Sequence, residues 1–209
     1  MHSLLPWGAV GVAYLMGSLS FAVIVSRGFG LSDPRTYGSK NPGATNVLRS
    51  GNKAAAAVTL LLDAIKGWLP VWAVQTWGHA WGLGDATVAA VALAAFLGHL
   101  FPVFFHFKGG KGVATAAGVL FGVDWLLGLL TLAAWVAVVA LSRMSSLGAI
   151  AAAVFAPVCF MFGAGMAWVA SGPITGAIVV MSILLVWRHS ENISRLLQGK
   201  ESKLGSKKS

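Results

Sequence analysis

Long apolar runs alternate along the chain with short stretches that are polar and rich in glycine. A helix of about 20 residues crosses a hydrocarbon core of roughly 30 Å, and several runs reach or approach that length. Each of these runs predicts one transmembrane helix. They occupy residues 4–25, 54–77, 86–105, 125–141, 147–162 and 174–187.

The stretch 112–141 is too long for one helix that crosses the membrane squarely and too short for two full spans. The distribution of charge decides between these, because cytoplasmic loops carry an excess of lysine and arginine. A short helix over 112–122, a turn at Val123 and Asp124, and a full span over 125–141 place every Lys and Arg except Lys66 on the cytoplasmic side. The sequence therefore predicts an all-α polytopic membrane protein with seven transmembrane helices, one of them short. Its N-terminus is expected outside and its C-terminus in the cytoplasm.

This arrangement forms one integral-membrane domain over residues 1–209, in which residues 203–209 are expected to be a disordered tail near anionic lipid. Hydrophobic residues make up 57% of the chain and charged residues only 10%, which agrees with a membrane setting. The net charge of +9 does not indicate nucleic-acid binding, because the basic residues lie in short loops and a tail. The few carboxylates form no ligand-like cluster with histidine, so no metal or other cofactor is expected.

The longest polar stretch is the first motif, residues 38–49, which reads GSKNPGATNVLR. Gly38 and Gly43 allow the backbone to turn with converging N–H groups, and Pro42 stands where a helix over 44–49 would begin. The pattern is typical of a phosphate cradle, although a capped cytoplasmic loop between two helices would look similar. Its candidate ligands are Gly38, Ser39, Asn41, Gly43, Thr45, Asn46 and Arg49.

The second motif, residues 98–115, reads GHLFPVFFHFKGGKGVAT and is again a glycine-rich, lysine-bearing turn that leads into a helix. It is not a nucleotide P-loop, because Gly112 follows Lys111 where a Ser or Thr would be needed. Phosphate or carboxylate binding by backbone N–H groups and two ammonium groups is one interpretation, and a simple cytoplasmic turn is the other. The candidates are Lys108, Gly109, Gly110, Lys111 and Gly112.

The third motif, residues 188–201, reads RHSENISRLLQGKE and follows the last span. As a helix it would place His189, Asn192 and Arg195 on adjoining turns and leave an apolar side for the membrane interface. An interfacial anchor is the alternative to a site, because basic residues beside a final span are ordinary. Arg188, His189, Asn192 and Arg195 are its candidate functional residues.

Two charged residues, Asp63 and Lys66, lie on one helix face inside the run 54–77. Asp63 would be roughly 15 Å from the cytoplasmic entry of that helix. At that depth the two charges must pair or face a polar cavity. The pair is interpreted equally well as a structural ion pair or as a support for an active site.

Together the three motifs resemble the signature motifs of the bacterial acyl-phosphate-dependent glycerol-3-phosphate acyltransferases, the PlsY family. The resemblance covers nearly the whole chain and shows no departure at a motif position. It extends to the Asp63-x-x-Lys66 pair and to Ser145-Ser146 after the fifth span. The acyltransferases that use His-x-x-x-x-Asp are excluded, since no aspartate stands five positions after a histidine.

The resemblance implies an enzyme of the bacterial cytoplasmic (inner) membrane whose active site lies at the cytoplasmic face. It would transfer a fatty acyl group from acyl-phosphate to the sn-1 hydroxyl of glycerol 3-phosphate, giving lysophosphatidic acid and inorganic phosphate. This is the first acylation of phospholipid synthesis, and a separate enzyme would supply the acyl-phosphate.

The resemblance also implies roles for individual residues. Ser39, Arg49, His189 and Asn192 would carry catalysis, and the other motif residues would bind substrate phosphates. The hydroxyl proton could pass to His189 or to the donor phosphate, and the arginines at positions 188 and 195 favour a hydrogen-bond donor role for His189. Structural support would come from Asp63, Lys66, Ser145, Ser146 and Glu191.

A transporter of phosphorylated metabolites is the competing class, because it would also need basic residues among membrane helices. Its polar groups should lie at mid-membrane and reach both faces. In this chain they crowd the predicted cytoplasmic edge, which favours the enzyme.

Overall fold

The computed structural model describes residues 4–205, and within that range every regular element is helical. The predicted all-α class is confirmed. Predictions for residues 1–3 and for residues 206–209 of the tail lie outside the described range. The helices are α1 Leu5–Gly17, α2 Phe21–Gly28, α3 Ala44–Leu48, α4 Lys53–Trp77, α5 Asp85–Leu100, α6 Val113–Val123, α7 Trp125–Ser142, α8 Ser145–Phe162, α9 Gly172–Arg188 and α10 Ser190–Leu197.

Between residues 4 and 205, four helices are long and apolar enough to cross a membrane: α4, α5 with the short 3-10 turn after it, α7 and α8. The number rises to six if α1 with α2, and α9 with α10, each count as one bent span. Helix α6 is a shorter apolar helix, as the division of 112–141 predicts. Seven spans and an external N-terminus stay predictions.

The turn between α6 and α7 depends on Asp124. Its backbone is extended, and its carboxylate accepts hydrogen bonds from the N–H groups of Leu126 and Leu127 at 2.8 and 3.0 Å. This N-cap satisfies two donors that have no partner within the helix. The predicted turn is present at Asp124, whereas Val123 is the last residue of helix α6.

The first apolar run is not one continuous helix. Helices α1 and α2 meet at a bend of 44° around Ser18–Ser20. The carbonyl of Leu19 in this break accepts a hydrogen bond of 2.6 Å from Lys66 Nζ on α4. A buried lysine thus satisfies a backbone acceptor that the bend removes from the helical pattern.

The third run also differs from its prediction, because α5 ends at Leu100 and not at residue 105. Pro102 has no backbone N–H and disfavours helical geometry at Phe101, so the helix stops before it. A 3-10 turn, Val103–Phe105, follows. This early end brings the second motif out of the helix and leaves it free to fold as a loop.

Helix α5 lies at the centre of the bundle, where it packs against α1, α4, α6 and α9. Its residues Val91, Phe96 and Leu100 are almost fully buried. Helix α6 packs closely on α4, since a Cβ atom added at Gly122 would lie 3.0 Å from the carbonyl oxygen of Trp68. Hydrogen bonds of Lys111 and Arg188 join the second and third motifs at one end of the bundle, and Arg49 of the first motif reaches Ser202 in the tail.

Candidate active site

The first motif folds around the side chain of Asn46, which is 2% exposed. Its Oδ1 accepts from the backbone N–H of Ser39 at 3.0 Å, and its Nδ2 donates to the carbonyls of Pro34 at 2.6 Å and Tyr37 at 3.2 Å. Buried amide groups of this kind fix a loop because leaving them unpaired is costly. Asn46 was predicted as a phosphate ligand, yet three of its hydrogen-bonding positions are used to shape the loop.

The loop presents Ser39 and Arg49 at its surface. Gly38 and Lys40 have positive φ angles of 59° and 55°, so the chain turns sharply on either side of Ser39. The predicted helix over 44–49 is present as the five-residue helix α3. Arg49 follows it and donates from Nη2 to the hydroxyl of Ser202 at 3.1 Å.

The second motif is held by Arg188, whose guanidinium donates to the carbonyls of Gly109 at 2.9 Å and Gly110 at 3.0 Å. The sequence predicted phosphate binding for Arg188, but these donors point to the backbone of the turn. On the other side of the turn, the N–H of Gly110 donates to the carbonyl of His99 at 3.1 Å. The turn is therefore fixed between α9 and α5.

Lys111 follows this turn and connects the second motif with the third, because its Nζ donates to Oδ1 of Asn192. Burial, followed by the positive charge of Arg195, lowers the pKa of Lys111 to about 8. An ammonium group that is already partly desolvated and surrounded by further positive charge is suited to a phosphate ligand.

His189 lies in the bend between α9 and α10 and is 3% exposed. Its Nδ1 is 2.8 Å from the carbonyl oxygen of Leu185. A carbonyl only accepts, so Nδ1 carries the proton and the neutral ring has its lone pair on Nε2. Burial lowers the pKa of His189 to about 4, and the charge of Lys111 also disfavours protonation. With its proton on Nδ1, the ring presents Nε2 as an acceptor, whereas the donor role that the neighbouring arginines suggested would need a proton on Nε2.

Glu201 is a central residue that the sequence did not single out. Its side chain is 6% exposed, and it accepts hydrogen bonds from three side chains, at 2.6 to 2.7 Å: Ser146 Oγ, Asn192 Nδ2 and Arg195 Nε. Burial alone would raise the pKa of Glu201, but these bonds hold it below its usual value. The sequence feature that could have identified Glu201 is its negative charge, since an acidic residue is unusual in this basic tail.

Around Glu201 the tail folds back onto the bundle. Ser202 contacts Arg49, and the backbone N–H of Leu204 donates to the carbonyl of Arg143 at 2.6 Å. Residues 203–205 of the predicted disordered tail are thus described in contact with the turn before α8. The tail joins parts of the chain that are distant in sequence.

Other predicted residues lie outside this network. The side chain of Glu191 is 85% exposed, and its carboxylate makes a long contact of 3.9 Å with Arg195. Of the predicted supporting residues, Ser146 is the one that donates to Glu201. The predicted ligands with exposed side chains are Thr45 and Lys108, and Asn41 and Ser145 are half-buried. Gly112 adopts a positive φ of 87° immediately before α6, and Gly43 is extended before α3.

Asp63 and Lys66 pair at 2.7 Å inside the bundle, and both side chains are nearly inaccessible. The pairing agrees with the need to neutralise charge in a membrane helix. His99, which was not among the predicted site residues, lies 3.6 Å from the same carboxylate.

Comparison with known proteins shows extensive similarity. The family model described as glycerol-3-phosphate acyltransferase matches residues 7–199. A protein named glycerol-3-phosphate acyltransferase from Albidiferax ferrireducens is 59% identical over 99% of this chain and 92% of its own length. A protein of the same name from Paraburkholderia phytofirmans is 60% identical over 94% of this chain and 90% of its own length.

Two solved structures are similar over almost the whole bundle. Both are crystal structures of PlsY, an integral membrane glycerol 3-phosphate acyltransferase. Its glycerol 3-phosphate form has a TM-score of 0.86 and 38% identity, and covers 96% of both chains. Its lysophosphatidic acid form has a TM-score of 0.84 and 37% identity, over 96% of this chain and 95% of the other.

Proposed function

The chain belongs to the glycerol-3-phosphate acyltransferase (PlsY) family of integral membrane proteins, and we propose that it uses acyl-phosphate to acylate the sn-1 hydroxyl of glycerol 3-phosphate. One observation carries the proposal. Lys111, Asn192 and His189, from two different motifs, form a group of a half-buried cation, a buried amide and a buried neutral imidazole at one end of the bundle. Such a group suits a reaction between phosphate-bearing molecules.

The reaction needs positioning more than covalent catalysis, because acyl-phosphate is already activated. The hydroxyl oxygen of glycerol 3-phosphate attacks the acyl carbon, and the bond between that carbon and the phosphate oxygen breaks. An ester and inorganic phosphate are formed. Lys111 of the second motif would bind the phosphate of glycerol 3-phosphate, while Arg195 and Arg49 would bind the donor phosphate and stabilise the charge on the leaving group.

His189 is proposed to take the hydroxyl proton at Nε2. The support is the hydrogen bond from Nδ1 to Leu185, which leaves Nε2 without a proton. A neutral base of this kind accepts the proton as the ester bond forms. The alternative is transfer to the leaving phosphate, and the pH dependence separates the two routes.

The proposed setting is the bacterial cytoplasmic membrane, with the motifs at the cytoplasmic face. There the acyl chain of the donor can lie in the bilayer while the soluble acceptor enters from the cytoplasm. A separate enzyme would supply the acyl-phosphate. This reaction would supply lysophosphatidic acid for phospholipid synthesis.

The donor is tested with purified protein, labelled glycerol 3-phosphate and palmitoyl-phosphate, followed by palmitoyl-CoA and palmitoyl-acyl carrier protein in its place. We expect labelled lysophosphatidic acid and an equal amount of inorganic phosphate with palmitoyl-phosphate alone. Equal or faster product formation from either thioester would contradict the proposed donor.

The role of Arg49 is tested in the same assay. Arg49→Ala should reduce kcat/KM by roughly 100-fold or more, because a charged phosphate contact is lost at an exposed position without opening the core. Arg27→Ala is a matched control, since Arg27 is also an exposed cytoplasmic arginine next to the first loop and should retain activity. Similar losses in both variants would indicate a general effect of charge.

A further inference from the structure

The imidazole of His99 forms the surface on which the second motif rests. The N–H of Gly110 donates to the carbonyl of His99. Gly109 lies against the carbonyl oxygens of His99 and Leu100, and Gly110 lies against Nε2 of the His99 ring. A methyl group at either glycine would overlap these atoms, so the position of the turn depends directly on His99.

The other edge of the ring is held inside the bundle. Nδ1 of His99 is 3.1 Å from Oγ1 of Thr115 and 3.6 Å from Oδ1 of Asp63. The Thr115 hydroxyl donates its own hydrogen to the backbone carbonyl of Asp63 at 3.0 Å, so its oxygen accepts from the N–H at Nδ1. These contacts leave the ring little freedom to rotate or tilt.

Asp63 is fixed in turn by Lys66, which also donates to the carbonyl of Leu19 in the bend between α1 and α2. A buried ion pair is usually no more stabilising than well-packed apolar side chains. A role in orienting His99 therefore accounts for these charges better than a contribution to stability. The chain of contacts runs from the α1–α2 bend through α4 to the second motif.

The turn that His99 supports leads directly to Lys111. Arg188 holds the carbonyls of Gly109 and Gly110 from the opposite side. The turn is thus fixed between an imidazole and a guanidinium, and a shift on either side would move Lys111 away from Asn192. Such a shift would weaken the charged contact between Lys111 and a substrate phosphate.

We propose that His99 is a positioning residue for glycerol 3-phosphate, which acts by setting the position of the Gly109–Gly110 turn and of Lys111 without touching the substrate. This rests on the proposed function, in which the second motif binds the phosphate of the acceptor. Its effect should therefore be on KM for glycerol 3-phosphate and much less on kcat.

The first test is His99→Asn, which keeps an N–H near the position of Nδ1 and removes the ring edge beneath Gly110. We expect KM for glycerol 3-phosphate to rise by about 5-fold or more with kcat changed by less than about 2-fold. Thr115→Val, which removes the acceptor but keeps the shape, should give a smaller change in the same direction. His106→Asn is the matched control, since His106 is exposed in the same motif and Asn tolerates its positive φ.

A double-mutant cycle separates positioning from general destabilisation. Gly110→Ala alone should raise KM by about 10-fold or more, because its methyl group meets the His99 ring. In the His99→Asn protein part of that space is empty, so adding Gly110→Ala should cost less than it does alone. Independent effects that simply multiply, or a wild-type KM in His99→Asn, would overturn the proposal.

A binding measurement without donor keeps this inference distinct from the proposed function. Glycerol 3-phosphate should raise the thermal unfolding temperature of the wild-type protein in detergent, and His99→Asn should require a higher concentration for the same shift. Wild-type behaviour of His99→Asn would overturn the role of His99 alone. A wild-type protein with neither activity nor a shift would overturn both proposals.

Discussion

At the scale of single residues, the site is built from side chains that hold backbone loops and other side chains in place. Asn46 shapes the first motif, Arg188 holds the second, and Glu201 joins Ser146 to the third. Each uses hydrogen bonds that are at least partly buried and either charge-assisted or directed to the backbone, and such bonds are costly to lose. Residues in direct contact with substrate are therefore expected to be fewer than the motifs suggest.

The pH dependence follows from two residues. The pKa of His189 is lowered to about 4 and that of Lys111 to about 8, in both cases chiefly by burial. If neutral His189 is the base, kcat/KM should persist at pH 5 and fall only as pH approaches 4. It should also fall as pH rises through 8, because Lys111 loses the charge that attracts phosphate.

The phosphate of glycerol 3-phosphate has a pKa of about 6, so the substrate also contributes to the pH profile. Two variants measured over the same pH range separate the contributions of the enzyme from that of the substrate. Lys111→Arg should move the basic limb upward, because arginine stays charged. His189→Gln should lose roughly 100-fold or more in kcat and its acid limb. An intact acid limb in His189→Gln would favour proton transfer to the leaving phosphate.

The role of Glu201 is tested by Glu201→Gln, which keeps the shape and removes the charge. We expect kcat/KM to fall by about 10-fold or more, because hydrogen bonds to a charged group are worth roughly 1.5–3 kcal/mol. Glu191→Gln is the control, as Glu191 faces the same Arg195 from an exposed position and should change little. Kinetics and thermal unfolding are measured for both, and equal effects would contradict a special role for Glu201.

At the scale of elements, the bend between α1 and α2 and the early end of α5 prepare the site. The bend provides a carbonyl for Lys66, and the end of α5 at Leu100 releases the second motif from the helix. Both interruptions lie in runs that are apolar enough to be read as uninterrupted helices. Serines at the bend and Pro102 after α5 are their local causes.

The ion pair between Asp63 and Lys66 gives a prediction at this scale. Lys66→Met should destabilise the protein by about 3–5 kcal/mol, because it leaves a buried carboxylate without its main partner. Asp63→Leu combined with Lys66→Met should recover part of that loss, since neither charge then remains. Thermal unfolding in detergent measures both, and a single variant as stable as the wild type would show that the pair is dispensable.

At the scale of the whole molecule, the motifs meet because α5 is central and the tail closes over the end of the bundle. The first motif reaches the tail through Arg49, and the tail reaches the start of α8 through Ser146 and Leu204. Lysines and arginines of the motifs and the tail lie at this end, which predicts a cytoplasmic orientation for it.

Topology is tested by single cysteines in a Cys159→Ala background, labelled in intact cells with a membrane-impermeant maleimide. His79→Cys and Met166→Cys should react from outside, because both positions are exposed at turns opposite the motifs. Lys108→Cys and Lys203→Cys should react only after the cells are permeabilised. External labelling at Lys108 would contradict the predicted orientation.

The sequence by itself determined the helical membrane class, the break at Asp124 between α6 and α7, and the three motifs. These features depend on local properties: the length of apolar runs, the N-cap of α7 and the distribution of charge. The residue types also indicated phosphate chemistry, since Lys111 and Arg195 are basic residues in polar stretches that are otherwise rich in glycine and amides.

Only the tertiary structure decided what each polar residue contacts. Arg188 and Lys111 have similar charge and sequence context, yet Arg188 donates to a backbone turn and Lys111 to Asn192. The positions of Glu201 and His99 depend on contacts between residues far apart in the chain, from the tail to α8 and from α5 to α4 and α6. Local sequence does not predict such contacts, because the packing of the helices determines which side chains meet.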